Sequence, residues 1–298
     1  MTKKEGLAVY NDKLNIYSGI LFNNQEFENE SEGKINYIFD CPKYLELISK
    51  YSIDKIAGNG SSFKRAKKLL HYLAPRLTHC SGFDNHIECN SLKLLEYSLN
   101  NPEQGINCLN KSKILAECCL ALGIYARRVC ILPFSPYDFD SHVVVEIYDE
   151  ALKKWIMLDP TLDGYFIDEN KMPLGLLEMR EKFANYDFLT FVKSNSKLND
   201  LKKLRDKYME VNCYICKNVF YFVIERDNKF GVSNDKYCFA PKGYKVLNND
   251  IQNLKFRINN IPEEYKSFVP IFENDLKNLE NQNEVLKNDI NVMKEAPF

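Results

Sequence analysis

A chain of 298 residues, 45% of them apolar and 13% aromatic, carries enough nonpolar side chain for a buried core and reads as globular rather than disordered. Its 40 Lys and Arg stand against 41 Asp and Glu, a net charge of −1, so nothing drives it electrostatically toward nucleic acid. No stretch is apolar enough to span a bilayer, and residues 1–19 hold basic side chains without the apolar run or small-residue cleavage site of an export signal.

The ten cysteines, scattered through a long chain, are therefore expected as reduced thiols of a cytoplasmic protein, most of them small buried apolar groups. In chain order, residues 1–60 form an N-terminal extension of mixed structure, with turn signals at Asn23-Asn24 and Gly58-Asn59-Gly60. A core unit then occupies 61–194. Phe63, Ala66, Leu69, Leu70 and Leu73 recur at helical spacing until Pro75 stops them, and Leu92, Leu95 and Leu99 mark a second helix over 91–99.

A third helix opens at Asn107 or Cys108. Ile114, Leu115, Cys118, Cys119 and Leu122 give it an apolar face, and Gly123 offers a left-handed stop, so it should be buried. Three β-rich runs follow at 127–134, 142–148 and 154–158, joined by connections short enough for antiparallel neighbours. Beyond Asp163 the pattern is irregular. A charged helix over 195–208 marks the expected start of a C-terminal region, 195–298, with a β-hairpin turning at Asp227-Asn228 and a polar terminal helix from Pro262 that frays. That region is either a separate unit or part of the same domain.

The fold class this order predicts is α+β, with a nucleophile at a helix N-terminus packed on an antiparallel sheet. A thiol is a useful nucleophile only as thiolate, and the unpaired amides and dipole of a helix start favour the anion, which singles out Cys108. His142 begins one β-run and Asp159 ends the next, so adjacent antiparallel strands bring imidazole and carboxylate together. Alternation places His142, Val144 and Glu146 on one face, and Trp155, Met157 and Asp159 on the matching face of the next strand. Laid toward the Cys108 helix, these faces complete a catalytic triad.

The segments GINCLNKSKILAECCLALGIYARRV and DSHVVVEIYDEALKKWIMLDPT together resemble the core signature of the transglutaminase-like superfamily, over about residues 105 to 161. Gly105 precedes the helix, Ala126-Arg127 follows it, and Trp155 leads to Asp159-Pro160. The resemblance implies a papain-like architecture with Cys108 as nucleophile, His142 as general base and Asp159 as its orienter. HCSGF, from His79 to Phe83, also resembles a segment that precedes the nucleophile in some bacterial members, which makes His79 a cleft residue.

Asn107 and Trp155 join His79 as candidate substrate-binding residues, although Trp155 fits a core position better and Arg127 a structural ion pair. The expected chemistry is cysteine-dependent acyl transfer, foremost hydrolysis of a peptide or amide bond in a peptide, protein or small amide. Protein cross-linking is a weaker alternative, because Asn107 and Leu109 flank the cysteine where cross-linking enzymes have Gln and Trp, and no calcium loop is visible. A non-catalytic binding module on the same fold is the third. No cofactor or metal is expected: Cys213, Cys216 and Cys238 lack a fourth ligand, and the spacing of His79, Cys80, His86 and Cys89 fits no common zinc pattern.

Overall fold

The computed structural model describes residues 3–187, 189–196 and 200–298, apart from the side chains of residues 3–8 and 264. It is an α+β fold with antiparallel sheets. Five strands form the central sheet: β2 (Ala126–Leu132), β3 (His142–Asp149), β4 (Lys154–Leu158), β7 (Tyr221–Glu225) and β9 (Lys236–Phe239), in the order β4-β3-β2-β7-β9, each antiparallel to its neighbour. A pair, β5 (Gly164–Ile167) and β6 (Thr190–Lys193), and a short parallel pair, β1 (Asn36–Tyr37) and β8 (Asp227–Asn228), lie outside it.

The sheet is covered on both faces, which is why β3 reads HVVVEIYD with every residue buried. On one face Val145, Ile147, Ile156 and Leu158 join a core with α2 (Pro42–Tyr51), α3 (Ile53–Ala57), α4 (Ser62–Leu73), α5 (Ser91–Asn100) and α6 (Cys108–Ala121). On the other, Val129, Ile131, Val144, Met157, Phe222 and Ile224 pack with α1 (Lys3–Phe22), α7 (Leu176–Ala184) and α9 (Met209–Asn218). The remaining helices are α8 (Leu201–Lys207), α10 (Val246–Asn260), α11 (Val269–Glu280) and α12 (Asn291–Lys294).

The boundary expected at 195 does not divide the core, since β7 and β9 extend the sheet that β2 begins. Asp227-Asn228 is not the hairpin turn. It is the strand β8, held parallel to β1, and β7 meets β9 only after a longer loop. The last residues of the tail are held against the sheet: Val292 and Met293 are buried, the Met293 carbonyl accepts from Arg127 Nη2 at 2.7 Å, and the Glu295 carbonyl accepts from Trp155 Nε1 at 3.0 Å. Arg127 also forks onto Glu146, its cross-strand partner, with Nε at 3.0 Å and Nη2 at 2.7 Å.

Helix α6 is the axis of the molecule, buried without interruption from Asn110 to Leu120. Three of its buried polar side chains are paired there. Ser112 donates to the Val143 carbonyl at 2.7 Å, Lys113 pairs with Glu225 at 3.3 Å, and Glu117 accepts from the Ser91 amide and hydroxyl and from the Gly231 amide. These bonds fix the depth and rotation of α6 against β3 and the loop after β8, because any slip leaves a buried polar group unpaired.

Candidate functional site

Gly105 determines where the first turn of α6 begins. Its φ is +69°, and a Cβ there would lie 3.0 Å from both the Thr78 carbonyl and Cys80 Cβ. The bare backbone lets residues 105–107 run against 78–80, with Ile106 N–H to Thr78 O at 3.0 Å and Cys80 N–H to Ile106 O at 3.1 Å. The His79 segment and the Cys108 segment are thereby brought together. Asn107 caps the helix: its Oδ1 accepts from the Asn110 amide at 3.2 Å and its Nδ2 donates to Asn85 Oδ1 at 3.0 Å. The Asn107 side chain is thus engaged in holding the helix start, while the amide of Cys108 has no partner among the described residues, as first-turn amides do not.

Cys108 is partly buried and shares one cleft of about 800 Å3 with His142. His142 is 2% exposed, and its Nε2 lies 2.8 Å from Asp159 Oδ2, a carboxylate with no exposure at all. Asp159 Oδ1 accepts from the amides of Thr161 and Leu162 at 2.8 and 2.9 Å, so the turn after β4 fixes the carboxylate before it meets the ring. With Nε2 engaged, Nδ1 is the nitrogen left for the Cys108 sulfur. The Tyr214 ring, 5.2 Å away and tilted by 63°, walls the imidazole on α9.

The faces differ from the alternation argument. Val145 and Ile147, not Val144 and Glu146, lie toward α6. The three groups still meet because His142 opens β3 and Asp159 follows β4, both at the sheet end where the first turns of α6 run, as the Ser112 bond to Val143 marks. Burial opposes charge on the ring, but the Asp159 carboxylate, its hydrogen bond and the neighbouring sulfur outweigh it and raise His142 to about 10. Burial likewise opposes the Asp159 anion, and the imidazole and the two amides hold its carboxyl below the ordinary value.

His79 stands exposed at the mouth of the cleft, Nε2 3.0 Å from Ser81 Oγ, its pKa lowered by partial burial and by the Lys111 charge. Trp155 is not in the cleft. Four residues before Asp159 in an extended strand, it lies ~13 Å away along β4. There its ring stacks under the Arg127 guanidinium at 3.8 Å and against Tyr37 and Tyr148, in the packing of the sheet.

Several residues on the cleft escaped the sequence. Tyr214 and Glu210 come from α9, Arg257 from α10, and Asp140 from the loop before β3. No local pattern marks them, because each reaches the cleft only through the packing of the C-terminal half. Lys111 was legible: three residues after Cys108 on a helix, it shares that face. It is 3% exposed, makes no hydrogen bond or ion pair among the described residues, and its pKa is lowered by burial against the pull of Asp159, Asp163 and Cys108.

Among the described residues no group of three His, Cys, Asp or Glu is placed to hold a metal. Cys213 donates to the Tyr10 carbonyl at 2.9 Å and Cys216 contacts Ser18 Oγ at 3.9 Å, both as packing against α1. No helix among them is long and apolar enough to cross a membrane. Compared with models of protein families, with curated proteins and with solved structures, the chain matches none.

Proposed function

We propose that the cleft performs cysteine-dependent acyl transfer, foremost the hydrolysis of a peptide or amide bond through a thioester, on a transglutaminase-like core formed by α6, β2, β3 and β4. The observation that carries this is a buried imidazole bound at Nε2 to a buried, pre-fixed carboxylate, on the wall of the same cleft as a helix-start thiol. The raised pKa of His142 favours imidazolium beside the sulfur at neutral pH.

The thiolate attacks the carbonyl carbon, the carbon–sulfur bond forms, and the oxyanion faces the free Cys108 amide at the helix start. The imidazolium proton passes to the leaving nitrogen as the carbon–nitrogen bond breaks. Water then attacks the thioester and gives a proton to His142, the carbon–sulfur bond breaks, and the acid leaves behind thiolate and imidazolium as they stood before the attack. Asp159 orients the ring throughout and stays ionised.

The test is the rate of alkylation by iodoacetamide from pH 5 to 10, with adducts located by mass spectrometry. Cys108 should label fast at pH 7, and His142→Ala should slow it by about 100-fold, the scale of a lost proton-transfer partner. Labelling of Cys108 that is slow and indifferent to His142 would reassign the cleft to binding without catalysis.

A further inference from the structure

Arg257 is the cation on the cleft wall that the acyl-transfer chemistry does not use. It comes from α10 and lines the cleft together with Cys108 and His142. Its Nε donates to Asn253 Oδ1 at 2.7 Å, and the Asn253 amide is itself held by the carbonyls of Pro136 and Asp138 at 2.8 and 2.7 Å. The guanidinium lies over Phe272 at 5.9 Å. Its orientation is therefore set before any ligand arrives, with both terminal nitrogens free of hydrogen bonds and ion pairs among the described residues.

The nearest carboxylates are engaged elsewhere. Asp138 pairs with Lys217 at 2.9 Å, and Asp140 accepts from the Tyr214 hydroxyl at 3.3 Å. A half-buried guanidinium held by one edge, with its other donors unpaired, is short of a planar anion that accepts two parallel N–H bonds, and a carboxylate has that shape. Glu210 lines the same cleft from α9 and repels a substrate anion, whereas the Arg257 guanidinium attracts one. A cleft of about 800 Å3 is on the order of 10 Å across, which is two or three residues of extended chain at ~3.3 Å each.

We propose that the substrates are short peptides ending in a free carboxylate, and that Arg257 grips this carboxylate two or three residues from the bond presented to Cys108. The assignment rests on the acyl-transfer reading for what happens at Cys108, and on Arg257 alone for which ligands enter.

Full-length Cys108→Ala, which cannot turn substrate over, is titrated calorimetrically at pH 7 with N-acetylated di- and tripeptides and with the same peptides as C-terminal carboxamides. The acids should bind at least about tenfold tighter than the carboxamides, the scale of a charge-assisted pair. Arg257→Gln in the same background should abolish that preference while leaving carboxamide binding unchanged. Acids that bind no tighter than carboxamides, or a preference that survives Arg257→Gln, overturns the proposal. So does inorganic phosphate displacing the acid at equal concentration, which would make the site a phosphate site. Because the first comparison keeps Arg257 intact, it stands even if the variant does not fold. Carboxylate-selective binding without amine release by the unmutated chain would sink the acyl-transfer reading and leave this one. Turnover without carboxylate preference would do the reverse.

Discussion

His142 is held in its charged form by its neighbours in the cleft. Its folded pKa, about 10, is above the ordinary 6.5, so the stability it contributes is fully present below about pH 6.5 and is lost as pH rises through 10. Asp159, lowered, acts in the opposite window: its contribution is present above the ordinary carboxylate value and disappears on acidification. The melting temperature of the unmutated chain should therefore exceed that of His142→Gln most at pH 6, with the gap closing toward pH 10. A gap that stays constant over that range would mean that the ring is not held as imidazolium. Lys111 adds to the same balance, since an unpaired buried cation three residues from the thiol favours every anion around it.

At the scale of elements, the site depends on where α6 starts, and Gly105 sets that. Gly105→Ala would place a methyl 3.0 Å from the Thr78 carbonyl in a backbone with φ +69°, at a cost of ~1–3 kcal/mol. The variant should unfold at lower urea concentration and lose rapid Cys108 alkylation, because the 78–80 and 105–107 segments must separate. Unchanged labelling would show that the thiol is positioned by α6 alone. These elements were legible in the sequence. Ala66, Leu69, Leu70 and Leu73 on α4, and the apolar residues of α6, face one core each and so repeat with the helix period, and the ends of β4 were read without error. Cys108, His142 and Asp159 followed from them, because three adjacent elements carry all three. What stayed hidden has a physical cause. Helix α1 leaves Val9, Ile16 and Phe22 exposed while burying Leu14 and Leu21, so its apolar residues fall on more than one face and blur the period. The segments β5, α7 and β6 are short, and their order comes from packing against the other core rather than from local pattern. Tyr214 and Arg257 belong to this class: more than a hundred residues from Cys108, they reach the cleft only through the tertiary fold.

The whole molecule is closed by its C-terminal segment. Residues 288–295 supply the Asn288 side chain to the Cys238 amide at 3.1 Å, the Met293 carbonyl to Arg127, and the Glu295 carbonyl to Trp155. Truncation after Lys287 leaves these buried donors unpaired at ~1–3 kcal/mol each. The truncated chain should lose about 3–9 kcal/mol in urea unfolding, yet label Cys108 at the normal rate at low temperature, since no residue of 288–295 lines the cleft. A truncated chain as stable as the whole would make the segment an ornament of the surface.

The pairing of α1 with α9 has a further consequence, for the order in which the chain is made. Tyr10 and Cys213, joined through the Tyr10 carbonyl, are 203 positions apart. At ~5–20 residues per second, the apolar side of the first helix waits about 10–40 s on the ribosome before its partner emerges. Through that interval α1 lacks the α9 side of its packing, and Leu14 and Leu21 stay incompletely buried on the nascent chain.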